Sequence, residues 1–145
     1  MTVLTGGFGT VTSAQAIFCD SKLTFSDWFA VKEIKKKDVL KHKTGVNMLY
    51  AELDALQQLT HPFIVTLHLA FNDSTSCFLV LDLLLGGDLR YYLKNGLVFD
   101  EYSTAIYAAC ISSALEHMHS KFILHRDIKP ENILLDDRGF PYLTG

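Results

Sequence analysis

Between two short apolar stretches, Ile123-Leu124 and Ile133-Leu134-Leu135, the chain places His125-Arg126-Asp127-Ile128-Lys129-Pro130-Glu131-Asn132, five ionisable side chains and an amide in eight positions. Charges at that density do not enter a core unpaired, because burying an isolated ion costs several kcal/mol or more. The apolar flanks nevertheless pull the segment down onto a packed surface. A solvated turn needs no such flanks, whereas a loop that must hold acid, base and amide groups in fixed positions does. Any fold for this chain has to set these eight residues at the rim of its core.

Composition sets the outer bounds. With 145 residues, 49% of them apolar, the chain can bury a sizeable core and fits one domain rather than two. Lys and Arg number 13 against 16 Asp and Glu, a net charge of -3, which argues against a protein whose main business is coating nucleic acid or an anionic membrane. The longest apolar run, Cys77 to Leu85, is too short to span a bilayer and holds Asp82. Met1-Thr2-Val3 has neither the basic region of a secretory signal nor the glycine that myristoylation requires. Cys19, Cys77 and Cys110 are an odd count with no C-x-x-C pair, so reduced thiols in a cytoplasmic or nuclear setting are expected, each as a small core residue.

Periodicity divides the chain at Gly86-Gly87. Before that point, Gly6 to Val11 and Trp28 to Ile34 read as two antiparallel strands joined by a long polar turn around Asp20-Ser21-Lys22. Leu49, Leu53, Leu56 and Leu59 recur at helical spacing over residues 46–59, and Pro62 follows. Phe63 to Phe71 and Cys77 to Leu81 read as a hairpin around Asn72-Asp73-Ser74-Thr75. The paired glycines suit a linker whose backbone passes close to something else. Beyond them, Asp88 N-caps a short helix that Gly96 ends, and Asp100 N-caps a longer one up to Lys121, with Tyr102, Ala105, Ile106, Ala109 and Cys110 sharing one face. Ile123-Leu124, Ile133 to Leu135 and Tyr142 to Thr144 read as short strands, the last two joined by a turn at 136–139.

The 46–59 helix carries a discordant residue. Glu52 lies one turn from Met48, Leu49, Ala55 and Leu56, on the face that should be buried. A buried carboxylate requires a cationic partner, and Lys32, in Phe29-Ala30-Val31-Lys32 on the adjoining strand, is the natural one. Lys35, Lys36, Lys37, Lys41 and Lys43 read instead as a solvated face. His117-Met118-His119 does not read as a metal site, because side chains at i and i+2 point to different sides of a helix.

The string from His125 to Asn132 matches the protein-kinase catalytic loop H-R-D-x-K-P-x-N, and the chain resembles that family along nearly its whole length. The fold this implies is α+β and protein-kinase-like: a β-rich N-lobe with its helix C over residues 1–82, a hinge at 83–87, and the start of a helical C-lobe over 88–145. The resemblance also implies roles. Asp127 would accept or orient the proton of a substrate hydroxyl, Lys129 would balance charge on the phosphoryl group, and Asn132 would hold a magnesium ion. Lysine two residues after the aspartate is the serine/threonine form of the loop. Lys32 looks like the strand lysine that engages the α- and β-phosphates of ATP, and its pair with Glu52 looks like the helix-C salt bridge of active kinases.

Leu4-Thr5-Gly6-Gly7-Phe8-Gly9-Thr10-Val11 is similar to the kinase glycine-rich loop, with Leu4 in place of the first glycine. By that likeness Gly6 and Gly9 cover the phosphates and Val11 the adenine. Phe78 to Leu93 resembles the last N-lobe strand, hinge and following helix of the AGC group, most closely the YANK subfamily in Leu83-Leu84-Leu85-Gly86-Gly87-Asp88-Leu89-Arg90-Tyr91. Leu81 is then the gatekeeper, the backbone of Asp82 and Leu84 meets the adenine edge, Asp88 approaches the ribose, and Ala30 and Leu134 sandwich the purine. Glu131 joins the residues on the nucleotide side and implies basic residues near the target hydroxyl.

Thirteen residues after Asn132, where a kinase presents the aspartate of its D-F-G segment, this sequence has Gly145, which offers magnesium no side-chain ligand. The expectation is a truncated catalytic domain: in complete form a serine/threonine kinase using ATP and magnesium on protein hydroxyls, and inactive as residues 1–145 alone. A non-catalytic nucleotide-binding pseudokinase and an interaction module using the apolar face of the 100–120 helix are the alternatives. The partners expected are ATP and a protein substrate, with no nucleic acid and no membrane.

Overall fold

The computed structural model describes residues 4–6, 9–15 and 28–144, so Cys19, the turn around Asp20-Ser21-Lys22, Gly7, Phe8 and Gly145 lie outside the described residues. The chain forms two compact units, one from Met1–Leu56 and Leu67–Leu83, the other from Gln57–Thr66 and Leu84–Gly145.

The first unit is built on an antiparallel sheet of five strands: β1 (Leu4–Gly6), β2 (Gly9–Gln15), β3 (Trp28–Lys35), β4 (Leu67–Asn72) and β5 (Ser76–Asp82), in the order β1-β2-β3-β5-β4. Alternation along β3 puts Ala30, Lys32 and Ile34 on one face, and the register sets Leu81, Leu79 and Cys77 of β5 opposite them. Ile34 and Leu79 are buried there. The β4–β5 turn closes on Asp73, whose carboxylate accepts the amides of Thr75 and Ser76 and the Thr75 hydroxyl. Those bonds hold its pKa below the usual carboxylate value.

Two helices complete the unit, α1 (Lys36–Val39) and α2 (Gly45–Gln58). The lysine run is therefore only partly the solvated face expected: Lys36 opens α1, and its ammonium donates to Asn72 Oδ1 and the Asp73 carbonyl. Helix α2 stops one residue before Leu59, which is buried in the core of the second unit, and Met48 is exposed. Leucine spacing alone does not say which core a leucine serves. Helices α1 and α2 and the β4–β5 hairpin enclose an apolar hollow of about 290 Å³, lined among others by Val39, Leu49, Leu53, Phe71 and Cys77. Cys77 is thus half-buried, and Cys110 is buried in the second unit.

The second unit consists of α3 (Leu89–Lys94), α4 (Glu101–Ser120), a 3-10 turn at Pro130–Asn132, and a two-stranded antiparallel ladder of β6 (Ile133–Leu135) and β7 (Pro141–Leu143). The caps stand where expected. Asp88 accepts the Tyr91 amide at 2.8 Å, Asp100 accepts the Ser103 amide at 2.7 Å, and Gly96 follows α3 with φ 87°.

The core is Leu59, Ile64, Leu89, Ala114, Met118, Ile133 and Leu143. Its α4 contribution is Ala114 and Met118, with Cys110 buried on the same stripe, so of the expected face Cys110 is buried and Ile106 half-buried while Tyr102, Ala105 and Ala109 face outward; Tyr102 is 75% exposed. The first half of α4 is apolar nearly all round, and only the partners it meets choose the inward stripe. The expected strand at Phe63 starts instead at Leu67, because Ile64 and Val65 are buried and Ile64 bridges to Leu143. Ile123-Leu124 forms no strand. The chain turns there through Phe122 at φ 60°, and the Ile123 amide still bonds Met118 O. The last strand is Pro141–Leu143, one residue earlier than read, since Thr144 turns its amide to Asn132 O.

The paired glycines do pass close to backbone. The Gly86 amide donates to Leu135 O and the Leu135 amide to Gly87 O, and a Cβ on Gly86 would lie 2.5 Å from Asp136 O. Gly87 has φ 76°, a conformation glycine adopts without cost.

Candidate active site

In the first unit the strand register gathers residues from three strands. Val11 stands opposite Lys32 on β2, Leu79 opposite Lys32 on β5, and Leu81 opposite Ala30. Val11, Ala30, Lys32 and Leu81 therefore share one face of the sheet. Gly6 and Gly9 pair at the end of the β1–β2 ladder. Lys32 Nζ lies 2.8 Å from Glu52 Oε1 of α2, the partnership that the discordant carboxylate called for. The pair is less sealed than the helical pattern implied, with the two side chains 25% and 33% exposed. Holding the ammonium at a known point above the sheet is its main consequence, because ion pairs this accessible add only ~0 to 1 kcal/mol to stability.

Two polar contacts in this unit were not legible in the sequence. His68 Nε2 meets Asp82 Oδ1 at 2.6 Å while its ring packs edge-on against Phe29. The Ser76 hydroxyl, buried, donates to Glu33 Oε1 at 2.7 Å. Both join residues distant in sequence on neighbouring strands, and no local pattern marks such pairs. The Asp82 side chain is engaged by His68, which leaves its backbone for the role expected of it.

In the second unit the charged loop is organised around one carboxylate. Asp127 Oδ2 accepts from Lys129 Nζ at 2.6 Å and from Asn132 Nδ2 at 2.9 Å, and Asn132 Nδ2 also reaches the Asp127 carbonyl at 2.8 Å. The hydrogen bond from Lys129, then that from Asn132, hold the Asp127 pKa below its ordinary value, and the same contact raises that of Lys129. The Asp127 amide points to His125 Nδ1 at 3.3 Å, which leaves the imidazole proton on Nε2, 3.0 Å from Thr144 O. The Thr144 amide in turn donates to Asn132 O. Arg126, between His125 and Asp127, has φ 66°, a conformation that costs a non-glycine residue about 1 to 3 kcal/mol and persists only where surrounding bonds impose it.

The remaining predicted residues of this unit lie on α3, the 3-10 turn and β6. Asp88 forms a bridge with Leu134, so the residues assigned to ribose and purine are neighbours, although the Asp88 carboxylate is already occupied in capping α3. Leu84 is half-buried just before Gly86. Glu131 lies 3.6 Å from Arg90. The sequence missed Asp136, 8% exposed, whose carboxylate accepts the amides of Arg138 and Phe140 and the Arg138 guanidinium, and so closes the β6–β7 turn beside the loop. In Asp136-Asp137-Arg138-Gly139 only a turn was legible, not which acid turns inward.

These atoms suit a phosphorylated ligand and a hard cation. Asn132 donates through Nδ2 and keeps Oδ1, the kind of oxygen magnesium takes, while magnesium usually draws most of its shell from water and phosphate. Among the described residues no cluster of three His, Cys, Asp or Glu is placed to hold a metal by itself.

A match to the protein kinase domain covers residues 3–144. The chain belongs to the protein kinase family. Its α+β architecture, an antiparallel sheet with few helices followed by the loop and ladder just described, is that of this domain. The chain is 44% identical over 139 residues to a probable serine/threonine-protein kinase of Dictyostelium discoideum, covering 96% of this chain and 29% of that protein. It is 38% identical over 139 residues to human serine/threonine-protein kinase 32C, covering 96% of this chain and 27% of the relative. Rat serine/threonine-protein kinase Sgk1 is 42% identical over 117 residues, 81% of this chain and 27% of its own. The chain thus spans less than a third of the length of each of these relatives. Among the described residues no helix is long and apolar enough to cross a membrane.

Proposed function

We propose that this kinase chain serves an ATP-dependent protein serine/threonine kinase of the AGC group, nearest the YANK subfamily, with residues 1–82 acting as the N-lobe, 83–87 as the hinge and 88–145 as part of the C-lobe. The observation that carries the proposal is the Asp127 carboxylate held at once by Lys129 and Asn132, on a loop whose histidine tautomer is set by its own backbone. A serine or threonine hydroxyl of a protein attacks the γ-phosphorus of ATP, the bond to ADP breaks, and the hydroxyl proton passes to Asp127.

An aspartate with a lowered pKa is a weak base at neutral pH, so its work is to orient the hydroxyl and take the proton late. That suits a loose transition state in which the nucleophile bonds late. Lys129, 2.6 Å from Asp127, neutralises charge that builds on the phosphoryl oxygens. Lys32, held by Glu52, presents its ammonium to the α- and β-phosphates. Gly6, Gly9, Val11, Ala30, Leu81, Asp82, Leu84, Asp88, Glu131 and Leu134 receive the nucleotide, and Glu131 also favours basic residues near the acceptor hydroxyl. Magnesium, when bound, offsets phosphate charge, and Asn132 Oδ1 is the atom that would hold it.

ATP titrated against the protein's thermal melt, with and without magnesium, tests the nucleotide half of the proposal. A stabilising shift that Lys32→Met removes is expected; no shift under either condition would overturn it. Peptide phosphorylation by the protein that contains this chain tests the transfer half, with Asp127→Asn expected to abolish turnover. Nucleotide binding without transfer would favour the pseudokinase alternative.

A further inference from the structure

His61 and His117 stack with ring centroids 5.3 Å apart and planes 28° from parallel. His117 comes from α4 and His61 from the segment Gln57–Thr66, both within the second unit. Both nitrogens of His61 are engaged. Nδ1 accepts the Phe63 amide at 3.2 Å, so the ring proton sits on Nε2, which faces Ser113 Oγ at 3.1 Å. His117 Nε2 is buried with no hydrogen-bond partner.

This arrangement suits a neutral His61 ring only. A proton added to His61 lands on Nδ1 and sets two N–H donors against each other across 3.2 Å. The stacked His117 ring lies against that added charge, and its buried Nε2 has no hydrogen-bond partner. The titratable neighbours do not relieve this. On α4 they are Glu116 and His119, both exposed, and the buried Cys110; on β7 Tyr142 packs edge-on against Phe63. Among the described residues no carboxylate forms an ion pair with either ring. Burial, and after it His117, hold the His61 pKa below its ordinary value of 6.5.

Phe63 connects the pair to the loop that carries Asp127. Its carbonyl accepts the Leu143 amide at 2.8 Å, and Leu143 O accepts the Val65 amide at 3.0 Å. The next residue, Thr144, donates to Asn132 O at 3.0 Å and accepts from His125 Nε2 at 3.0 Å.

We infer that the His61–His117 stack is a pH-sensitive latch, in which protonation breaks the His61–Phe63 contact, loosens residues 63–65 from β7, and slackens the hold of Thr144 on Asn132 and His125. The direction follows from linkage. The opened form takes up the proton more readily than the closed one, so the latch is whole above about pH 6.5, weakens as pH falls through that value, and loses no more once pH is below the closed-state pKa. The coupling is independent of phosphoryl transfer and can be read without it.

Amide hydrogen exchange by NMR, corrected for the intrinsic pH dependence of exchange and paired with imidazole titration, tests the latch. Between about pH 7.5 and about pH 5, protection of the Leu143 and Thr144 amides is expected to fall roughly tenfold for each unit by which the His61 pKa is depressed, while that of the Ala114 amide holds. His61→Gln supplies an acceptor that cannot titrate and should remove the loss. His117→Phe keeps a stacked ring without the second charge and should move the midpoint to higher pH. Absence of the loss in the unaltered protein while His61 titrates, an equal loss at Ala114, or an unchanged midpoint and amplitude in both variants would overturn the latch.

Discussion

Leu143→Ala is the sharpest test of how the second unit holds its loop. Leu143 is 1% exposed, belongs to the core with Ile64, Ala114 and Met118, and bonds through its backbone to Phe63 and Val65. Truncation removes three buried carbons, about 2.4 kcal/mol at roughly 0.8 kcal/mol per methylene. The cavity left behind adds to this, since residue 143 sits in a strand whose neighbours, β6, α4 and the 63–65 segment, are themselves fixed by hydrogen bonds and cannot simply collapse inward. The expected loss is about 3 to 4 kcal/mol, read from urea unfolding followed by circular dichroism at 222 nm, to which α4 is the longest contributing helix. The midpoint should fall with the slope unchanged. Leu143→Met, which nearly conserves volume, should lose less than about 1.5 kcal/mol. Leu85→Ala, at a leucine 75% exposed, should stay within about 0.5 kcal/mol. A loss under about 1 kcal/mol for Leu143→Ala, or one equal to that for Leu85→Ala, would refute the assignment of Leu143 to a rigid core.

Three further outcomes are expected. Gly86→Ala forces a Cβ to within 2.7 Å of Leu135 O and 2.5 Å of Asp136 O, both backbone atoms, so β6 must shift and stability should drop by about 1 to 3 kcal/mol in the same urea assay; a neutral effect would contradict the close approach. Lys129→Ala removes the first cause of the low Asp127 pKa, so carboxyl-detected NMR should find that pKa raised toward 3.8, and an unmoved titration would dissolve the pair. Because the folded pKa lies below the unfolded one, Asp127 favours folding above the unfolded value and loses that contribution as pH falls through the folded value, with no effect between about pH 5 and 8. Lys32→Met should abolish the ATP-induced thermal shift yet change unfolding free energy by no more than about 1 kcal/mol, since the ion pair it removes is partly solvated.

The parts of the site that could be read from the chain are those written locally. His125 to Asn132 is contiguous, and its bonds from Lys129 and Asn132 to Asp127 span two and five residues. The Lys32–Glu52 pair spans twenty residues and was still legible, because a carboxylate on an apolar helix face is a conflict that demands a partner. No such conflict marks His61 and His117. Each looks like an ordinary polar residue at the end of an element, and only the packing of the 57–66 segment on α4 stacks them. The inward stripe of α4 was missed for a related reason: several stripes were apolar enough, and the difference between Ala105 and Ala114 lies in what each meets.

By itself the sequence determined most of the elements and their punctuation: four strands of the first sheet, helices α2, α3 and α4, the aspartate caps on α3 and α4, the glycine pair, and a loop too charged to bury between segments too apolar to expose, although the single strand read over Gly6 to Val11 is two paired strands, Leu4–Gly6 and Gly9–Gln15. Those depend on interactions within a few residues, where backbone geometry leaves few choices. Tertiary structure decided allegiance: Leu59, Ile64 and Val65 join the unit of α4, although each lies in an apolar run that also suited the sheet. Burial is favourable wherever apolar area leaves water, so hydrophobic pattern says that a residue is covered without saying by what. The directional bonds that identify the cover, from Phe63 to Leu143 and from Thr144 to Asn132 and His125, exist only once distant segments have met.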